Sequence, residues 1–252
     1  MSATIRHRAL AITSSRARRG LASTLLASMA VVAMAVTAAG QSASPDVGAF
    51  ALVTGESLSP GTYRSTSVGD TTFVVGDGWI SSYDVPGGGF GLVRADAPGT
   101  FDVARFEGDV LAEGCEPGGA TIAATPDALM GYIAGTAGIA TATEPAPVAI
   151  GGLEGLSIDI TTSEPAGCPG PALGWLVPTL GRFFILPDSA SRIIALDAGD
   201  HVITIVVDAP IADAEAFMAA AQPIIDSLDF AAAPSASPAG GAAASPGSSS
   251  AP

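Results

Sequence analysis

The feature that most constrains the fold is the run RIIALDAGDHVITIVVDA at residues 192 to 209. Two β-prone arms flank DAGD, a set of residues typical of a hairpin turn. The second arm, VITIVV, is apolar on both faces instead of alternating between apolar and polar residues. A strand of that kind lies centrally in a sheet and is covered on at least part of each side. The run therefore predicts a sheet that is packed on both faces.

Short β-prone runs, separated by Gly, Pro and Asp, fill much of the remaining middle of the chain. They are TYRST (62–66), TTFVV (71–75), FGLVR (90–94), FDVARF (101–106), LSIDITT (156–162), ALGWLV (172–177) and RFFILP (182–187). The segment GDGW at 76–79 is interpreted as a turn after an early strand. Together with the hairpin, these runs predict a mainly antiparallel β-sheet.

Two segments have helical patterns. In TPDALMGYIAG, Thr125 is a candidate N-cap followed by Pro126 at the first helical position, with Leu129, Met130 and Ile133 on one face. Such helices supply cover for the sheet. The predicted class is α+β, one domain in which two helices pack a mainly antiparallel sheet.

The second helix lies within AEAFMAAAQPIIDSLDF, residues 214 to 230. Its apolar stripe consists of Phe217, Ala221, Ile224, Ile225 and Leu228. Pro223 removes a backbone donor inside the helix, so a kink or a restart is expected there. A last short strand, 228–230, is expected to return to the sheet.

Residues 1–40 have the plan of a secretory signal peptide: a basic start, an apolar run and a zone of small residues. A retained transmembrane anchor is the alternative, since residues 21–39 approach the length of a bilayer span. The segment ARRGLA at 17–22 leaves both general secretion and twin-arginine export open. We expect an extracellular or cell-envelope protein.

The other end of the chain contains only Ala, Pro, Ser and Gly from residue 231 to residue 252. Such a segment has nothing to bury, so a disordered tail is predicted, as a plain flexible end, a spacer or a glycosylation substrate. Residues 41–57 are interpreted as a linker. The predicted secreted domain is therefore residues 58–230, an ordinary size for a single domain.

Charge narrows the range of partners. All ten basic residues are arginine, five of them precede residue 41, and all 24 acids follow it, which leaves a mature net charge of 5 − 24 = −19. Such a surface repels nucleic acid and anionic membranes. No Asp-x-Asp-x-Asp-Gly calcium loop and no histidine cluster is present, so no metal and no cofactor are expected. We expect a monomer whose partner is an unidentified extracellular protein or polymer.

Two cysteines occur in the expected domain, Cys115 in EGCEPGG and Cys168 in AGCPGPA. An even number of cysteines in an exported chain favours a disulfide bond. A metal pair or a catalytic thiol is the alternative, but neither cysteine has a nearby histidine and no CxxC is present. Closing a loop of this separation stabilises a fold by about 4 kcal/mol on the chain-entropy argument.

Several turn and packing motifs resemble those of PsbP-like proteins. They are GDGW at 76–79, GGLEGL at 151–156, the hairpin at 192–209 and a helix ending in IIDSLDF at 224–230. The chain resembles the PsbP-like α/β/α sandwich of photosystem accessory proteins and of LpqN-type bacterial exported proteins, over about residues 60–230. The resemblance implies a binding or accessory module, and none of its motifs is catalytic.

Candidate site residues are few. Trp79, Tyr83 and Trp175 are candidate ligand contacts, although most such aromatic residues belong to a core. His201, the only histidine after the leader, is interpreted as a solvated turn residue, so no catalytic residue is assigned. The run PGGGFG at 86–91 lacks the lysine of a phosphate loop and is interpreted as a flexible turn.

Two functions remain open from the sequence. The preferred one is a secreted, non-enzymatic binding or accessory domain held by one disulfide. The alternative is a carboxylate-dependent hydrolase acting on an extracellular polymer. Two acids about 5 to 10 Å apart in a concave groove would favour the hydrolase.

Overall fold

The computed structural model describes residues 48–111, 119–164 and 170–230. All of them fall in the unit that runs from Pro45 to Pro252. The leader, the tail and both cysteines, Cys115 and Cys168, lie outside the described residues, so what the sequence indicates about them stays a prediction. Within the described ranges, neither helix has the length and apolar character needed to cross a bilayer.

The described residues form two helices and a larger number of mostly short strands. In chain order they are β1 (Phe50–Ala51), β2 (Gly61–Ser65), β3 (Thr71–Val75), β4 (Trp79–Val85), β5 (Gly89–Arg94), β6 (Thr100–Phe106), β7 (Asp109–Val110), β8 (Ala120–Thr121), α1 (Pro126–Gly135), β9 (Ile139–Ala142), β10 (Ala146–Ile150), β11 (Leu153–Thr162), β12 (Leu173–Val177), β13 (Gly181–Ile185), β14 (Ser189–Asp197), β15 (Val202–Pro210), α2 (Ala214–Ser227) and β16 (Asp229–Phe230).

The main element is an antiparallel sheet in the order β10-β11-β14-β15-β6-β5-β4, with β9 also paired to β11. The hairpin expected from the sequence is β14–β15, and its turn places Gly199 at φ 90°, a conformation that favours glycine. The VITIVV run lies in β15, between β14 and β6. Strand β15 therefore lies centrally in the sheet, as its apolar pattern predicts.

Strand β15 is buried from both sides. Ile203, Ile205 and Val207 pack toward α2 and the sheet β1-β2-β3-β16, whereas Val202 and Val206 pack toward α1 and the sheet β13-β12-β7-β8. Two hydrophobic clusters thus share one central sheet. The α+β class with an antiparallel sheet packed by two helices is confirmed, and the two small sheets complete the cover.

Residues 50–57 depart from the expected linker. Strand β1 pairs in parallel with β2, and Ser57 bridges to Ile80 of β4. Leu52, at 8% exposure, belongs to the core. The domain therefore begins near residue 50, because Leu52 packs into the core and the backbone of residues 55–58 pairs with the edge strand β4.

Both helices follow the sequence patterns closely. Thr125 caps α1 by accepting a hydrogen bond from the Ala128 backbone N–H at 3.3 Å. Helix α2 continues through Pro223 with no interruption, although a kink or restart is expected from the sequence. The last strand begins at residue 229 and pairs with β3.

Candidate binding groove

A groove opens between the edge of the large sheet and α2. It has a volume of about 520 Å³ and is bounded by the segment 143–150, by β11 and β14, and by the last turns of α2. Ligand sites commonly have volumes of about 300–1,000 Å³. The groove exists because α2 packs over β14 and β15 but leaves the outer strands β10 and β11 partly uncovered.

The floor of the groove is largely aliphatic. Val148 and Ile150 come from β10, Ile194 comes from β14, and Ile225 comes from α2. The alternation of side chains along each strand places the three strand residues on one face of the sheet, and Ile225 packs against that face from the helix. Val148 and Ile150 are half-buried, so apolar surface is accessible in the groove.

An arginine-centred network crosses one wall. The Arg192 guanidinium donates two hydrogen bonds to the Asp159 carboxylate, at 2.8 and 2.9 Å, and a third to the Gln222 side-chain oxygen at 3.2 Å. The Gln222 amide nitrogen donates to Asp226 at 2.7 Å. The Asp159 carboxylate raises the pKa of Arg192. The network joins α2 to β11 and β14 and occupies both oxygens of Asp159.

A second polar cluster lies on the opposite face of the large sheet, outside the groove. Asp102 of β6 is 5% exposed, and its Oδ1 accepts a hydrogen bond from the Tyr83 hydroxyl at 2.8 Å. On the neighbouring strand, Asp208 accepts hydrogen bonds from Ser191 and Ser189. Because Asp102 lies opposite Val206, the two acids are diagonal neighbours, about 7–8 Å apart at Cα.

Burial of this cluster changes its proton affinities. The pKa of Asp102 is raised from 3.8 to about 6, mainly by burial and further by the charge of Asp208, while hydrogen bonds from Thr100 and Tyr83 oppose the shift. Burial also raises the pKa of Asp208 and that of Tyr83. The two carboxyl groups therefore favour the protonated form more than exposed aspartates do.

Two of the three candidate aromatic contacts lie in the core. Trp79 is 2% exposed and makes edge contacts with Phe101 and Phe217. Trp175 is fully buried, stacks on Phe183 with ring centroids 4.8 Å apart, and its indole nitrogen has no hydrogen-bond partner among the described residues. A ligand would reach neither indole without local opening of the core.

Tyr83 is the one candidate aromatic residue that is partly exposed. A β-bulge between Ser81 and Tyr83 turns its ring over Gly91, where an added Cβ would lie 2.2 Å from the ring. Gly91 is therefore required for the close approach that brings the Tyr83 hydroxyl to Asp102. The run PGGGFG, expected to be a turn, becomes strand β5 from Gly89 onward.

His201 lies at the β14–β15 turn, as expected. Its side chain is 14% exposed and its Nδ1 is 2.6 Å from Asp200 Oδ1. It is therefore less solvated than its place in the sequence predicts. None of the groove residues is a histidine.

The groove residues were not among the candidates drawn from the sequence. One signal was available for Arg192. It is one of five arginines after residue 40, and it shares a strand face with Ile194 and Leu196 in a strand expected to be buried. A lone charge on an apolar face of this kind needs a partner. The partners, Asp159 and Gln222, are 33 and 30 residues away in the chain.

Comparison with known proteins gives little beyond the fold. No protein-family model matches the chain, and no curated protein matches it. Among solved structures it is similar to a crystal structure from Bacteroides thetaiotaomicron, with 13% identity and a TM-score of 0.37 over 69% of this chain. The match spans about half of that longer chain, 49% of it.

The chain is also similar to the solution structure of cyanobacterial PsbP (CyanoP) from Synechocystis sp. PCC 6803. The identity is 13% and the TM-score is 0.35, over 69% of this chain and 93% of that one. The PsbP-like resemblance is therefore confirmed as a weak one. Similarity at this level carries no inference about ligand or activity.

Proposed function

We propose that the mature chain is an exported, non-enzymatic binding or accessory domain, and that the groove beside α2 is its contact surface. The observation that carries the proposal is the groove itself, in which accessible aliphatic side chains lie beside a fixed polar network. Binding sites typically combine apolar walls with a few placed polar groups. Both features are contributed by strands and a helix, which hold them rigidly.

The groove suits binding better than hydrolysis. Asp159 accepts two hydrogen bonds from Arg192, and Asp226 accepts one from Gln222. A general acid must hold a proton that it can release to the leaving group. Two of the three groove acids, Asp159 and Asp226, are thus engaged by Arg192 and Gln222, which leaves Glu144 without a second free carboxyl. The groove therefore does not present the pair of free carboxyl groups that a two-carboxylate hydrolase uses.

The buried acids offer a second route to hydrolysis that we also disfavour. Asp102 and Asp208 have raised pKa values and lie close together, as an acid pair in a hydrolase would. Asp102, however, is only 5% exposed, and its hydrogen bonds are made within the domain. A polymer chain would not reach this carboxyl in the folded state, so we assign the pair no catalytic role.

The disulfide between Cys115 and Cys168 is part of the proposal. The last described residue before the first gap, Leu111, donates a backbone hydrogen bond to Gly174 at 3.2 Å, where β7 and β12 run antiparallel. Cys115 follows Leu111 by four residues, and Cys168 precedes Gly174 by six. The two cysteine-bearing segments therefore start from the same end of this strand pair, which supports their pairing.

Site-specific cross-linking tests the proposed function. A photoreactive amino acid at Ala146, an exposed residue on the groove face of β10, is compared with one at Val74, which is 48% exposed on β3. The mature protein is applied to the cell surface of its own organism and irradiated, and the cross-linked species are identified by mass spectrometry. We expect a discrete product from position 146 that an excess of unmodified protein suppresses.

Three outcomes would count against the proposal. Identical products from both positions would show that the groove is not the contact surface. The absence of any product would contradict the existence of a partner at the cell surface. Recovery of the captured molecule only as fragments that the purified domain generates would support the hydrolase instead. Capture of an intact molecule at position 146 alone supports the binding domain.

A further inference from the structure

We infer that the groove binds an extended peptide segment in which a lysine or arginine side chain adjoins an apolar one. This inference rests on the proposed function and names the class of ligand. It is drawn from the charge, length and lining of the groove.

The charge of the groove favours a cation. Its lining includes three acids, Glu144, Asp159 and Asp226, and Arg192 is the only basic residue among them. Because the guanidinium is already paired with the Asp159 carboxylate, its positive charge is balanced and gives an anionic ligand little net attraction. Glu144 and Asp226 are both exposed and carry negative charge that Arg192 does not neutralise. A cationic group can therefore be bound without disrupting the existing network.

The length of the groove favours a peptide over a small amine. It follows all of β10, from Ala146 to Ile150, and continues to Thr143 and Glu144. A strand rises about 3.3 Å per residue, so the β10 wall alone is about 16 Å long. This length matches four or five residues of extended chain. A single amine would leave most of it empty.

The lining favours apolar neighbours on either side of the cation. Val148 and Ile150 are half-buried and contribute accessible aliphatic surface, while Ile194 and Ile225 lie at the bottom of the groove at 3% exposure. Burial of such surface drives association at about 25 cal/mol per Å². The aliphatic stem of lysine or arginine can also lie on this surface while its charged end reaches the rim. Alternating apolar and basic side chains therefore complement the groove.

Peptide titration followed by NMR tests the inference. The probes are acetyl-Ala-Leu-Lys-Leu-Ala-amide and its counterpart with Glu in place of Lys, added to the mature protein with labelled isoleucine methyl groups. We expect the Lys peptide to shift the signals of Ile150, Ile194 and Ile225, and the Glu peptide to bind more weakly. Ile133 and Ile185 pack on the other face of the large sheet and are internal controls.

A charge-matched pair of variants separates the groove from the general acidity of the protein. Glu144→Gln with Asp226→Asn removes two groove charges, while Asp77→Asn with Glu154→Gln removes two exposed charges elsewhere. An exposed ion pair changes affinity by about two- to fivefold. We expect the groove variant to lose about that factor per carboxylate for the Lys peptide, and the control variant to bind almost as the wild type does.

The outcomes distinguish this inference from the proposed function. Equal binding of the Lys and Glu peptides, no shift at the groove isoleucines, or equal losses in both variants would overturn the inference. Cross-linking of an intact partner at position 146 would leave the proposed function standing in each of these cases. Cleavage of the Lys peptide by the domain would overturn both.

Discussion

Replacement of Asp102 by asparagine is expected to change how the stability of the domain depends on pH. In the folded state this carboxyl has a pKa of about 6, against an ordinary value of 3.8, because it is buried and lies near Asp208. The folded state therefore binds the proton more tightly than the unfolded chain does. The contribution of the Asp102 carboxyl to stability is fully present below about pH 4 and is lost as the pH rises through 6.

The size of the effect follows from the two pKa values. A difference of about 2 units, at about 1.36 kcal/mol per unit, gives an effect of about 3 kcal/mol. Asparagine keeps an oxygen that can accept the Tyr83 hydrogen bond but carries no charge at any pH. At pH 7.5 the free energy of unfolding of the Asp102→Asn variant should therefore be up to about 3 kcal/mol higher than that of the wild type.

Urea denaturation at pH 4, 5, 6 and 7.5, under non-reducing conditions, measures this difference directly. The two proteins should be nearly equal in stability at pH 4 and should diverge as the pH rises, with the variant the more stable. The exposed change Asp77→Asn is the matched control and should give a small difference at every pH. A wild type that remains as stable as the Asp102→Asn variant at pH 7.5 would refute the reasoning.

Three further predictions concern the core, the disulfide and the turn histidine. Phe217→Ala should lower the free energy of unfolding, measured by urea denaturation, by about 3–5 kcal/mol, because the ring is 1% exposed and its centroid lies 5.6 Å from that of Trp79. A loss below 1 kcal/mol would contradict this packing. Native protein should show no free thiol by alkylation and mass spectrometry, and Cys168→Ser should lower stability by up to about 4 kcal/mol; two free thiols in oxidised protein would reject the bond. His201→Ala should cost about 1 kcal/mol and leave partner capture unchanged, since the side chain is 14% exposed but outside the groove; loss of capture in a folded variant would contradict this placement.

The central part of the fold was predictable because burial leaves a clear pattern in sequence. The VITIVV run has apolar residues on both faces, and it forms the central strand β15. Thr125 and Pro126 likewise mark the start of α1 through local hydrogen bonding and backbone geometry. These signals act within a few residues, so tertiary context does not alter them.

The edges of the sheets were missed for the opposite reason. Strands β9 and β10, with sequences IATA and APVAI, are largely exposed and lack an alternating pattern. Strand β4 contains Ser81, Ser82 and a bulge, so its period is interrupted. Their strand conformation comes from pairing with neighbours that are distant in the chain, and β-propensity depends strongly on such context.

The groove could not be predicted from the sequence for a related reason. It joins β10 to the end of α2, which are separated by more than seventy residues of sequence. Which strand lies beside which helix depends on the sheet order, and the sequence does not display that order. The aromatic residues Trp79 and Trp175 were better signals for the core than for a surface, because large apolar rings contribute most when buried.

Hydrogen–deuterium exchange of the mature protein, with and without its captured partner, tests the central claim most directly. We expect slower exchange in residues 143–150 and 222–226 when the partner is bound, and little change in β7, β12 and β13. The partner itself should remain intact. Protection confined to those three strands, or no protection near the groove, would contradict the assignment of the groove as the binding surface.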